Sequence, residues 1–199
     1  MAGKATNWNT AAIANSKGQL WANLAIPGAG ARLTLHTDGT PDSTANPNAV
    51  HLGMTREGAK YMVKPTFEDY FADEFRAPIK SQLTQIEAAI TAELLQVHDS
   101  DLLALLSNGF GTRTTGTGYE QITFGEIAMV YTSIALIFPL EADPTKFGVF
   151  HLYKARNEGG IETELGRRKL SGVPINFKGL DITSRAAADT IGSFWKQVA

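Results

Sequence analysis

With 199 residues and 21.4 kDa, the chain is the size of one large domain or of two small ones sharing a core. Hydrophobic residues make up 43% and charged residues 19%. That is too apolar for a disordered chain, and the longest strongly apolar stretch, Ile134 to Leu140, is far short of the roughly 20 residues a spanning helix needs. A net charge of −2 argues against a protein that coats duplex nucleic acid, and the absence of cysteine removes disulfides, thiolate metal sites and cysteine nucleophiles. The first thirty residues hold no continuous apolar run, so no Sec signal is expected, and a cysteine-free chain suits a reducing cytoplasm.

Residues 1–19, rich in Asn, Ala and Thr, read as an N-terminal arm, and residues 20–199 as a single domain with no internal repeat and no hinge. Gln19 to Pro27 and Ala31 to His36 alternate apolar and polar residues around Pro27-Gly28-Ala29-Gly30, which predicts a hairpin. Residues 37–48 carry Asp-Gly and two prolines among many Ser, Thr and Asn, and form a long loop. Short strands follow at 49–54 and 59–67, then an acidic, aromatic segment over 68–75. Gln82 to Val97 fits period two, with Ile86, Ile90 and Leu94 on even positions, and equally fits a helical stripe built from good helix formers. Pattern alone leaves both open there.

A capping run, His98 to Asp101, precedes the short apolar helix Leu102–Leu106, which ends at Ser107-Asn108-Gly109. Asn108 to Gly118 reads as a Gly/Thr loop, and Ile122 to Leu140 as two strands, the second stopped by Pro139. Strands follow over 147–155 and 169–177, the latter with Pro174 marking an edge or a bulge; the tail 181–199 reads as a small helix or an irregular end. About seven strands and one short helix predict a mainly β sandwich or barrel with extended loops.

No motif carries chemistry. His36, His51, His98 and His151 lack metal-ligand spacing. Gly111 to Gly116 has the gap of a phosphate loop, but Thr117 stands where lysine is required, and no Gly-x-Ser-x-Gly elbow occurs. No catalytic, cofactor-binding or metal residue is therefore expected, and the pairs Glu68/Asp69 and Asp73/Glu74 and the run Arg167-Arg168-Lys169 read as surface. Charge is divided, however. Residues 66–101 hold eight acids and two bases, a net of −6, and residues 144–199 nine bases and five acids, a net of +4. Such polarity suits head-to-tail contacts between copies unless folding pairs the two segments internally.

The run from Asp38 to Gly53 (DGTPDSTANPNAVHLG), Ala72-Asp73-Glu74 with Pro78, Ile86 to Leu95, Phe147 to Ala155 (FGVFHLYKA) and Val173 to Leu180 (VPINFKGL) together resemble the tail tube, or major tail, proteins of long-tailed bacteriophages. The likeness covers roughly residues 37–185 as a diffuse pattern. It implies a tail-tube-type β-sandwich with one short flanking helix, six copies of which form a ring, with rings stacking head to tail into a hollow tube that conducts the genome. It implies that 82–97 is a tube strand, with Ile86, Ile90 and Leu94 packed inward and Gln85, Glu87, Thr91 and Glu93 facing an acidic lumen through which DNA slides without specific binding. The long loop, with Asp38, Pro41, Asp42, Asn46 and Pro47, is implied to reach an adjacent ring. Asp73 and Glu74 become candidate inter-subunit partners for Arg167, Arg168 or Lys169. Implied partners are further copies, a tape-measure protein, a tail terminator and tail-tip or baseplate proteins, with assembly in the host bacterial cytoplasm, a place in the virion tail and no membrane. The competing expectation is a β-sandwich carbohydrate-binding or adhesion module using Trp8, Trp21 and Trp195 as stacking platforms.

Overall fold

A computed structural model of the chain describes residues 18–53, 55–70, 77, 79–95, 100–125, 128–140, 143–162, 172–186 and 189–197. These form β1 (Gln19–Ala22), β2 (Val50–His51), β3 (Thr55–Tyr70), β4 (Lys80–Leu94), α1 (Ser100–Leu106), β5 (Gly111–Gly116), β6 (Tyr119–Phe124), β7 (Thr132–Leu140), β8 (Asp143–Asn157), β9 (Val173–Gly179) and β10 (Gly192–Lys196). The fold is mainly β. One antiparallel sheet runs β2-β1-β7-β8-β9-β4-β3, with β10 also on β8, and β5–β6 forms a separate two-stranded sheet.

The main core explains why the sheet curls. Leu20 and Ala22 of β1, Ile134 and Leu136 of β7, and Phe150 and Leu152 of β8 meet Ile90 and Leu94 of β4 and Val173, Ile175 and Phe177 of β9, all buried in one cluster. Period-two alternation puts these residues on a single face of each strand, so the sheet must fold over to bury that face against itself. Leu102 and Leu106 of α1 cover the end where Leu94 pairs with Val173. On the reverse face of β1, β7 and β8 lies a second core: Leu24, Leu33, Ala135, Ile137 and Val149, with Trp21, Phe147 and Trp195 against it.

The ambiguous segment over 82–97 is a strand through Leu94, paired with β3 and β9; residues 96–97 lie outside the described set. The hairpin expected over 19–36 does not form. Both edges of β1 are taken, by β7 and β2, so the 31–36 segment has no edge to pair with. Asn23 turns the chain away at φ 57, and Leu24 and Leu33 go into the second core instead. The turn itself survives as Ala31 N–H donating to Gly28 O at 2.9 Å.

Three further expectations are corrected. The Gly/Thr stretch expected as a loop supplies β5, which pairs with β6 across Thr117-Gly118, Gly118 taking φ 83. β7 continues past Pro139, which pairs with Phe147 beside a register shift. The tail supplies β10, because β9 pairs with β8 only over Ala155–Asn157 and leaves the edge over Gly148–Leu152 open. Pro174 fits the expected edge: it faces Glu93 of β4, and β8 pairing starts only at Phe177. Asn157 fastens the helix to the sheet. Its backbone N–H donates to Asn108 Oδ1 at 2.7 Å, and Asn108 Nδ2 donates back to Asn157 O at 2.7 Å.

Candidate assembly surface

β3 and β4 outrun the rest of the sheet. β9 pairs with β4 only over Ala89–Leu94, so Lys80–Glu87 have β3 as their sole partner among the described strands, and β3 is itself the sheet edge along its whole length. Eight residues at about 3.3 Å each make a two-stranded ribbon projecting about 26 Å. It leaves the body at the end remote from α1, since β4 runs from Lys80 toward Leu94 and α1.

The ribbon has two unlike faces. Tyr61, Val63, Pro65 and Phe67 of β3 share one face with Ile90, Ala88, Ile86 and Leu83 of β4, a bulge between Thr66 and Phe67 keeping Leu83 on that side. Near the body this face is core: Ile90 is 0% and Ala88 4% exposed. Opposite these, on β3, Tyr61 is 48% and Val63 54% exposed, and farther out Phe67 is 57%, Leu83 46% and Ile86 44% exposed. The opposite face places Gln85, Glu87, Thr91 and Glu93 together, opposite Thr66, Lys64 and Lys60 for the first three, with Met62 and Ala89 interrupting. The four residues expected on one polar face of a tube strand do share one. Ile90 and Leu94 are buried as expected, whereas Ile86 is not.

The acidic face expected there is not found: Glu87 and Glu93 are paired with cations, and Lys60 and Lys64 stand among them. Glu87 Oε1 lies 2.8 Å from Lys178 Nζ, and Glu93 Oε1 lies 2.6 Å from Arg56 Nη1. The hydrogen bond from Lys178 holds the Glu87 carboxyl below its usual range, and the same bond, with Glu158 nearby, raises Lys178. Counting acids over 66–101 missed these cations because they come from β3 and β9. The Glu87–Lys178 pair also shows that part of the charge division between the two segments is met within one chain.

The 37–48 loop holds no strand but is tied down. Asp38 Oδ1 accepts from Thr40 N at 2.9 Å, Asp42 Oδ1 from Thr44 N at 2.8 Å, and Asn46 Oδ1 from Ala25 N at 3.0 Å. Gly39, at φ 81, lies so close to the Phe147 ring that a Cβ would stand 2.4 Å from it. Pro41 and Asn46 are buried, which removes them as contact residues; Asp38 and Pro47 are exposed and Asp42 half-buried. The candidates Asp73, Glu74, Arg167, Arg168 and Lys169, the arm over 1–17, Trp8 and His98 lie outside the described residues. Trp21 stands edge-on to His51 at 4.9 Å, and Trp195 packs in the second core with Arg32 over its ring at 5.8 Å, so neither is an open stacking platform.

Among the described residues no group of three His, Asp or Glu is placed to hold a metal ion, and no helix is long and apolar enough to cross a membrane. Sequence reasoning missed the bare residues Tyr61, Val63, Phe67 and Leu83. The alternation of Lys60, Met62 and Lys64 with Tyr61 and Val63 was the signal that could have found them. No family model matches the chain, and no curated protein matches its sequence.

Proposed function

We propose that the chain is a self-assembling tail-tube subunit of a long-tailed bacteriophage. Copies form rings of six, as in the family it resembles, the rings stack into a hollow tube for DNA, and the β3–β4 ribbon supplies contacts between copies. The observation that carries this reading is the ribbon: a two-faced extension of the sheet whose apolar side continues the core beyond the body. An isolated two-stranded ribbon is marginal in water, and an open 16-residue edge invites pairing with another chain.

The magnitudes fit association. Five large side chains about half exposed leave roughly 450 Å² of apolar surface. Covering it is worth about 11 kcal/mol at about 25 cal/mol per Å². Association costs on the order of 4–15 kcal/mol, so one contact is marginal and its repetition between copies decides. The tape-measure, terminator and tail-tip or baseplate partners, the virion tail and assembly in the bacterial cytoplasm belong to the same proposal.

Sedimentation across a concentration series tests the reading. The wild-type chain is expected to form large species above a threshold concentration, and Val63→Asp with Phe67→Asp to keep the circular dichroism of the parent while remaining monomeric. Unchanged assembly of that variant would contradict the role given to the ribbon.

A further inference from the structure

The bare stripe of the ribbon is one jaw of an open mouth. The other jaw is β10 with the ends of β7 and β8: Tyr61 stacks on Phe150 at 4.9 Å and on Phe194 at 6.0 Å, and Phe194, paired with Phe150, is 53% exposed. Between the jaws lies a cavity of about 200 Å³ bounded by Val63, Ile86, Ala88, Phe150, Ile191 and Phe194. β9 and β10 lie along the same edge of β8, yet only β9 has β4 beside it, so the sheet forks here. The fork leaves the core unclosed at this end, where α1 closes it at the other.

A second apolar patch lies at that other end. The β5–β6 hairpin stands on α1, and at its root Phe124 is 66%, Val130 58%, Phe110 37% and Met129 37% exposed. Backbone bonds hold them together: Gly125 N–H donates to Phe110 O at 2.9 Å, and Val130 N–H to Asn108 O at 2.8 Å. Neither patch meets the other within one molecule, because the whole core lies between them.

We infer that the β5–β6 root of one copy seats in the ribbon–β10 mouth of another, a heterologous contact that repeats along the strand axis. Three observations favour a second copy as occupant. The patches lie at opposite ends of the core, the arrangement that repeats by translation instead of closing as a dimer. Both are apolar and of comparable makeup, aromatic with aliphatic neighbours. The stripe alone, at roughly 450 Å², falls short of the about 800 Å² per partner of a stable interface, and the flanking Phe194 and the strand edges extend it toward that size. This inference rests on the self-assembly reading above and specifies which surface meets the ribbon.

The chain has no cysteine, which permits a directional cross-linking test. Val63→Cys and Phe124→Cys are made singly and together, oxidised under assembling conditions and run on non-reducing gels. The double variant is expected to give a ladder of dimers, trimers and higher multiples. An equimolar mixture of the two single variants is expected to stop at heterodimers, and each single variant alone to stay monomeric. Val130→Cys replaces Phe124→Cys if the latter melts well below the parent. Homodimers from a single variant, or no ladder while the chain still forms large species, overturns the mouth-and-root contact and leaves self-assembly standing. A wild-type chain that stays monomeric at every concentration overturns both.

Discussion

Asn157 is where the helix, β8 and β9 are joined, and it is only 4% exposed. Its Nδ2 donates to Leu106 O at 3.1 Å and to Gly160 O at 3.0 Å, while Oδ1 accepts from Gly159 N at 3.2 Å and Asn176 N at 3.1 Å. Asn157→Ala strands several of these groups away from water, so a loss of about 3 kcal/mol in urea unfolding is expected. A loss under about 0.5 kcal/mol would show that the network is not what holds the helix. His151 gives a second test at this scale. It is fully buried, neither ring nitrogen has a hydrogen-bond partner among the described residues, and burial, with Arg185 adding to it, lowers its pKa to about 4. The unfolded chain, with histidine near 6.5, then binds the proton first. Stability is expected to be full above about pH 6.5 and to fall by up to about 3 kcal/mol as pH drops toward 4. His51, lowered to about 4 by burial alone, acts in the same direction. His151→Phe should therefore halve the acid slope of stability between pH 4 and 6.5, and an unaltered slope would rule out His151 as its source.

At the scale of elements, the ribbon and the loop call for opposite outcomes from substitution. The stripe is exposed in the isolated chain, so polar substitutions at Val63 and Phe67 should cost little monomer stability and much assembly. The 37–48 loop is packed through Gly39, Pro41 and Asn46, so deleting residues 41–48 should lower the melting temperature as well as shorten any tubes. An unchanged melting temperature would contradict that packing. What the sequence disclosed at this scale was local. Alternation identified the strands that bury one face, such as Val173, Ile175 and Phe177 in β9, and the capping pattern ended α1 where Asn108 and Gly109 take φ 52 and 86. What it hid was pairing. β1 finds β7 and not the segment after the turn, β10 fills an edge that exists only because β9 is short, and β5 is written in Thr and Gly because it pairs with β6 and packs on α1 outside the main sheet. The helix-or-strand ambiguity of β4 has the same cause, since Ala, Leu and Glu favour a helix and only the edges of β3 and β9 decide otherwise.

For the whole molecule, the fold is a curled sheet closed at one end by α1 and open at the other into a ribbon with one polar and one apolar face. The candidate site was partly legible: Gln85, Glu87, Thr91 and Glu93 fall on one face because period two is a property of the chain itself. The charge of that face was not legible, since Arg56 and Lys178 reach it from other strands. The molecule leaves core-type residues uncovered at both ends, and the measurement that tests the proposed self-assembly most directly is negative-stain electron microscopy of the purified chain at low and high concentration. Rings or hollow tubes at high concentration are the expected result. Compact single particles at every concentration, including after addition of a phage tail-tip complex to nucleate growth, would contradict the account.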